Sequence, residues 1–233
     1  MSYFIKILKK NKLAYYLNDN LKYFFYNSRY FLTKNDNLQL IEVPRSGTTL
    51  LKKIFLSLNV KIKHNNHFIK PKYNLNKKYV ICIRNPVERF LSAFYHTIQN
   101  QRITFYINYF ENSPNINSLI NELPSKKIIS YIRLSHHLQE SLSTFLDVNS
   151  IKKNPPVYIF DYSTLHDDIR KFFEKVDKNN KKEIDKLLDI KFGMTKKDTI
   201  NEKNYEILKN FLQKDFEVYK YLVKIKKNIN SQF

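Results

Sequence analysis

The 233 residues carry 41 Lys and Arg against 21 Asp and Glu, a formal net charge of +20, with one Cys, no Trp and only two Gly. Apolar residues at 42% and aromatics at 15% exclude wholesale disorder, and the single Cys82 excludes an internal disulfide framework and a zinc site built on thiolates. No run of 18 apolar residues is present, and Met1 to Leu8 is too short and too interrupted by Lys for a signal-peptide core, so a cytoplasmic protein without a transmembrane segment is expected.

The charge by itself points to nucleic acid, an anionic surface or an anionic small molecule as partner. Its make-up tempers that reading. There are 34 Lys but 7 Arg, with 27 Asn and two Ala, a profile that fits AT-biased coding. Average usage of about 7% would place roughly 16 Gly in a chain of this length. The scarce residue types, Gly and Arg, therefore carry more information than Lys.

In chain order, residues 1–37 are basic and aromatic without a clean helical stripe, and read as an arm or covering helix ahead of one domain at 38–233. The run Leu38–Val43 reads as a strand ending at Pro44. Arg45-Ser46-Gly47-Thr48-Thr49 follows, and Leu50, Leu51, Ile54, Phe55 and Leu58 then recur at helical spacing. Tyr79–Ile83 is an unbroken apolar run, as expected of a strand buried on both faces. Val157–Phe160 is a third strand, announced by Pro155-Pro156. Helical patterns cover about 86–99, 163–176 and 203–224. Strands alternating with helices predict an α/β domain with a central parallel sheet.

Two junctions between strand and helix concentrate chemistry. At the first, Gly47 permits a close backbone approach, and the helix that follows presents free N–H groups and a positive dipole to a phosphate. Ser46, Thr48 and Thr49 add hydroxyls, and Arg45 adds a cation. The competing explanation is a tight turn closed by a Thr cap. A Walker A loop needs two glycines and a Gly-Lys-Ser/Thr ending, absent here, which argues against an ATPase. At the second junction, Arg84-Asn85-Pro86-Val87-Glu88-Arg89-Phe90-Leu91-Ser92, Asn85 suits the N-cap and Pro86 the first helical position. Glu88 falls where it can reach back to the cap. Arg84 sits at the carboxyl end of a buried strand, where open α/β sheets bind ligands. Ser92 lies on a helix face where it is free to meet a ligand beside Arg84. Here the competing explanation is a plain Arg84–Glu88 pair.

Together the two segments resemble the sulfotransferase family that uses 3′-phosphoadenosine 5′-phosphosulfate. Pro44-Arg45-Ser46-Gly47-Thr48-Thr49 resembles its 5′-phosphosulfate loop, and Arg84 with Ser92 eight residues later resembles its 3′-phosphate motif. The Arg-Asn-Pro-x-x-Arg-x-x-Ser wording is closest to the carbohydrate and bacterial branches. Many members carry Lys where Arg45 stands. Pro156 to Leu165 and Asn204 to Leu222 are more weakly similar to later parts of the family, as is Ser135-His136-His137-Leu138-Gln139.

The resemblance implies a single-domain three-layer sandwich with a P-loop-like sulfotransferase fold. It implies in-line transfer of a sulfuryl group to an acceptor hydroxyl, with a glycan as default acceptor and no metal. Arg45 would contact the sulfuryl and bridging oxygens, Ser46, Gly47, Thr48 and Thr49 the 5′-phosphate, and Arg84 and Ser92 the 3′-phosphate. Arg89 would assist, or lie at the surface or in a helix pair. The general base would be His67 or else His64, and Lys196 and Lys197 beside Gly193 would close over the nucleotide. Two other functions compete: a basic, aromatic nucleic-acid-binding module, and a sulfotransferase-like scaffold without activity.

Overall fold

In the computed structural model four short segments lie side by side as parallel strands: β1 (Leu38–Ile41), β2 (Lys63–His64), β3 (Lys78–Ile83) and β4 (Tyr158–Asp161). The structure describes residues 38–60, 62–64, 78–99, 115–123, 125, 138, 141–176, 181–189 and 199–233. The strand order is β2-β1-β3-β4, with Leu40 opposite both His64 and Val80, and Ile81 opposite Ile159. From Tyr79 to Ile83 every residue of β3 is buried, which explains its unbroken apolar sequence.

Helices cover both faces of this sheet, as α/β architecture requires. They are α1 (Thr48–Ser57), α2 (Pro86–Gln99), α3 (Ile116–Glu122), α4 (Leu142–Phe145), α5 (Val148–Lys153), α6 (Leu165–Val176), α7 (Lys181–Leu188), α8 (Glu202–Phe211) and α9 (Gln213–Gln232). A 3₁₀ turn at Tyr162–Thr164 joins β4 to α6.

Side chains of adjacent strand residues point to opposite faces, and the core divides accordingly. Leu40, Val80, Cys82, Tyr158 and Phe160 pack with α1, α6 and α7, while Ile41, Tyr79, Ile81, Ile83 and Ile159 pack with α4, α5 and α9. On the first face Phe55 and Phe173 meet Phe172 edge-on, at 5.8 and 5.3 Å between ring centres. Each such fully buried ring stabilises by about 1.5–3 kcal/mol through its apolar area. A third cluster joins α2, α3 and α8 through Phe90, Phe94, Leu119, Ile120 and Leu208.

Two polar side chains of α9 serve the backbone of distant elements. Asp215 is buried, and its carboxylate accepts from the Leu142 and Ser143 amides and the Ser143 hydroxyl at 2.7–3.0 Å, capping α4. The Asn230 amide donates to the Ile159 carbonyl at 2.9 Å and accepts from the Ile159 N–H at 3.0 Å, so it bonds the outer edge of β4 as a further strand would.

Several expected boundaries shift. β1 stops at Ile41, and Glu42 and Val43 lead without strand pairing into the turn at Pro44–Gly47. The pattern at 203–224 is two helices broken at Leu212, a buried position whose backbone leaves the helical region without a local Pro or Gly. The edge strand β2 and the helices α3, α4, α5 and α7 are additions to the expected elements.

The strand order reverses between β1 and β3. The chain passes from β1 through α1 to β2 on one side, and from β3 toward β4 on the other. At such a switch point the loops leaving the two strands diverge and open a crevice beyond their carboxyl ends. Both candidate motifs lie there.

Candidate functional site

The first loop is held in a conformation that side chains resist. Ser46 N–H bonds back to the Val43 carbonyl at 3.3 Å, closing a tight turn. Arg45 has φ 64° and Gly47 φ 96°, both left-handed. A non-glycine residue there costs roughly 1–2 kcal/mol, so Arg45 is held by its surroundings. Gly47 allows close packing from across the sheet: a Cβ on it would lie 2.8 Å from Leu165 Cδ2 and 3.0 Å from Tyr162 Cδ2. Cys82 on β3 donates its thiol to the Ser46 carbonyl at 2.6 Å, a third restraint on the same turn.

The Thr cap does not form. Gly47 is the N-cap residue of α1, and no side chain caps the helix. The first amides of a helix have no intrahelical partner, so this end keeps donors and a positive dipole for another acceptor. The Ser46 hydroxyl is fully buried and makes no hydrogen bond. Thr48 is buried and Thr49 exposed. Just ahead of the turn, buried Glu42 pairs with Lys52 of α1 at 2.9 Å.

At the second motif Asn85 caps α2 as expected, its side-chain oxygen accepting from Val87 N–H at 3.0 Å and Glu88 N–H at 3.4 Å. The Glu88 carboxylate pairs with Arg84 Nε at 3.3 Å, one turn away, and this takes the place of the expected reach back to the cap. Glu88 is half exposed, so water screens its end of the pair although the Arg84 end is buried. Arg84 is buried, and Arg89 is completely so, which removes a surface position for Arg89.

The two motifs meet directly. Arg84 Nη1 donates to the Arg45 carbonyl at 3.2 Å, and Arg45 Nε and Nη2 both donate to the Ser92 hydroxyl, at 3.2 and 3.1 Å. Ser92 therefore serves Arg45 rather than standing free beside Arg84. Burial, and then the neighbouring Arg84 charge, lower the pKa of the Arg45 guanidinium. Two cations are thus brought together at one end of the sheet, beside a helix N-terminus without a side-chain cap, an arrangement that favours an anion.

A third segment completes the surroundings. Arg84 lies over the ring of Tyr162, with Cζ 3.8 Å from the ring centre. Sequence reasoning missed Tyr162, and it missed the Cys82 tether. No local pattern marks either residue, because each acts on a partner far away in the chain. Of the two candidate bases, His64 is the last residue of β2, the strand beside β1. His67 lies outside the described residues, as do His136, His137, Gly193, Lys196 and Lys197.

Comparison of the chain with protein-family models, with curated proteins and with solved structures finds no match. Among the described residues, no helix is long and apolar enough to cross a membrane.

The Cys82 tether gives a direct check on the site. Burial first, and then the Asp161 and Asp168 charges, push the thiol well above its ordinary range. In the native protein Cys82 will therefore resist a thiol reagent such as Ellman's, and it will react fully once denatured. Above about pH 8.5 the unfolded thiol loses its proton while the folded one keeps it, so stability falls with rising pH, by up to about 1.4 kcal/mol per unit. Cys82→Ala removes that part of the slope in pH-dependent melts. Tyr219, pushed up to about 12 chiefly by burial, adds its own decline above about pH 10.

Proposed function

We propose that this chain is a sulfotransferase with a P-loop-like fold, taking a sulfuryl group from 3′-phosphoadenosine 5′-phosphosulfate to an acceptor hydroxyl, with a glycan as the favoured acceptor class. The observation that carries this reading is the contact between the two motifs. Residues 39 positions apart in sequence, each in a segment resembling one half of that nucleotide site, meet through Arg84 Nη1 and the Arg45 carbonyl. Two further features support an anion at the first loop: the α1 N-terminus without a side-chain cap, and the unsatisfied buried Ser46 hydroxyl.

In this reading Ser46, Gly47, Thr48 and Thr49 hold the 5′-phosphate, while Arg84 and Ser92 hold the 3′-phosphate. Arg45, shared between the motifs, faces the sulfuryl end. Transfer breaks the bond from sulfur to the bridging oxygen and forms a bond from sulfur to the acceptor oxygen. The acceptor proton passes to a base, His67 or His64, and adenosine 3′,5′-bisphosphate leaves. The protein contributes alignment and stabilisation of the charge gathering on the leaving phosphate, with Arg45 placed for the latter.

Thermal melts with nucleotides test the proposal. At 100 times its Kd, adenosine 3′,5′-bisphosphate will stabilise the fold by about 2.7 kcal/mol, which raises Tm by roughly 5–10 °C for a chain of this size. Adenosine 5′-monophosphate will shift it far less. No shift at saturating bisphosphate refutes the proposal. Salt-sensitive binding to single-stranded nucleic acid that survives loss of Arg84 and Ser92 would favour the nucleic-acid module in its place. A bisphosphate shift with no turnover on any hydroxyl acceptor would favour the inactive scaffold.

A further inference from the structure

Arg84 is held from three sides by groups that differ in what they do to its charge. Nε pairs with the half-exposed Glu88 carboxylate at 3.3 Å, and Nη1 donates to the Arg45 carbonyl at 3.2 Å. The face of the guanidinium lies on the Tyr162 ring, 3.8 Å from its centre. Among the described residues Nη2 makes no hydrogen bond, and the plane is fixed by the other two groups and the ring. A carboxylate in the ring's place would fix the plane and also cancel the charge. An aromatic face attracts the cation through its quadrupole and leaves the positive potential standing. Arg45 lies close enough for the two cations to oppose each other, so such a restraint is needed.

Tyr162 is itself firmly placed. It opens the 3₁₀ turn whose cap, Asp161, accepts from the Ser163 amide at 3.0 Å and its hydroxyl at 2.8 Å. The Asp161 amide and the Thr164 hydroxyl both donate to Asp168, at 2.8 and 3.0 Å, and Lys226 of α9 closes the group on the same carboxylate at 2.6 Å. The ring edge abuts Gly47, so Tyr162 touches both motifs. Yet it is 39% exposed, more than a residue retained only to fill the core would be.

We propose that Tyr162 is a positioning residue that sets the protein's preference for a 3′-phosphate, by holding the Arg84 guanidinium flat at the switch point without an opposing charge of its own. The inference rests on the nucleotide reading above. Its signature is selectivity, measured as the ratio of the dissociation constants of adenosine 5′-monophosphate and adenosine 3′,5′-bisphosphate. Calorimetric titration of the full chain will show Tyr162→Leu weakening the bisphosphate roughly tenfold, the scale of a cation–π contact partly shielded from water, with the monophosphate changed less than about twofold. Tyr162→Phe, which keeps the ring, restores the ratio. In an Arg84→Ala background Tyr162→Leu has no further effect on the ratio.

If Tyr162→Leu does not fold, Tyr162→Met fills the space against Gly47 without a π face and gives the same comparison. Equal weakening of both nucleotides, no weakening of either, or a Phe variant as poor as the Leu variant overturns the inference and leaves the nucleotide reading standing. An unsubstituted protein that shows no preference for the bisphosphate overturns both.

Discussion

Arg84→Ala is expected to weaken adenosine 3′,5′-bisphosphate by roughly 100- to 10,000-fold and to leave the melting curve of the free protein close to its original position. The size follows from the groups involved: hydrogen bonds to a charged partner contribute roughly 1.5–3 kcal/mol each, and a guanidinium fork on a phosphate makes two. The fold survives because the partners left behind are lightly burdened. Glu88 is half exposed and returns to water, Tyr162 keeps its packing on Gly47, and only the Arg45 carbonyl loses a donor. Arg84→Lys does not restore binding, since an ammonium offers neither the planar fork nor the flat surface that lies on Tyr162. Binding and circular dichroism on the same samples separate the two effects. Unchanged bisphosphate affinity in a folded Arg84→Ala protein removes Arg84 from the site.

Gly47→Ala has the opposite character: it damages the fold before the chemistry. At φ 96° an alanine is strained by about 1–3 kcal/mol. Its Cβ would also fall 2.8 Å from Leu165 Cδ2 and 3.0 Å from Tyr162 Cδ2. Relieving that overlap moves the start of α6 or the Arg84-bearing ring, at a further 1–3 kcal/mol or so. The total of about 2–6 kcal/mol is a large share of the 5–15 kcal/mol that holds an ordinary domain together. The melting temperature is expected to fall by roughly 5–20 °C. A variant that melts where the parent does would mean that the turn is far more pliable than its three restraints imply.

The strands were legible because β3 is buried on both faces and writes that burial as an unbroken apolar run. The α2 start was equally clear, since Asn85 and Pro86 act within a few residues of themselves. Scarcity singled out the candidate residues that the fold brings together: Arg45, Gly47 and Arg84 stand out in a chain so poor in Arg and Gly. What stayed hidden depends on long-range partners. The Arg45–Ser92 bonds span 47 positions, and the Arg84–Tyr162 stack crosses from β3 to the turn after β4. Glu88 illustrates the difficulty: its spacing suits both a capping box and a pair with Arg84, and only the placement of the guanidinium decides between them. The break at Leu212 is similarly silent, because no residue there resists helix on its own account.

The amide of Asn230 has a consequence outside catalysis. β4 is an outer strand, and the N–H and C=O of Ile159 are the groups through which a foreign strand would register on it. Asn230 occupies both, and Phe233, stacked on Phe172 at 4.9 Å, pins the turn that carries it. The end of α9 thus works as a plug in an open socket, keeping the sheet from growing by β-augmentation from a second molecule. In a lysine-rich protein whose charge already discourages self-association, this one side chain guards one of the two sheet edges at which backbone pairing could still overcome that repulsion.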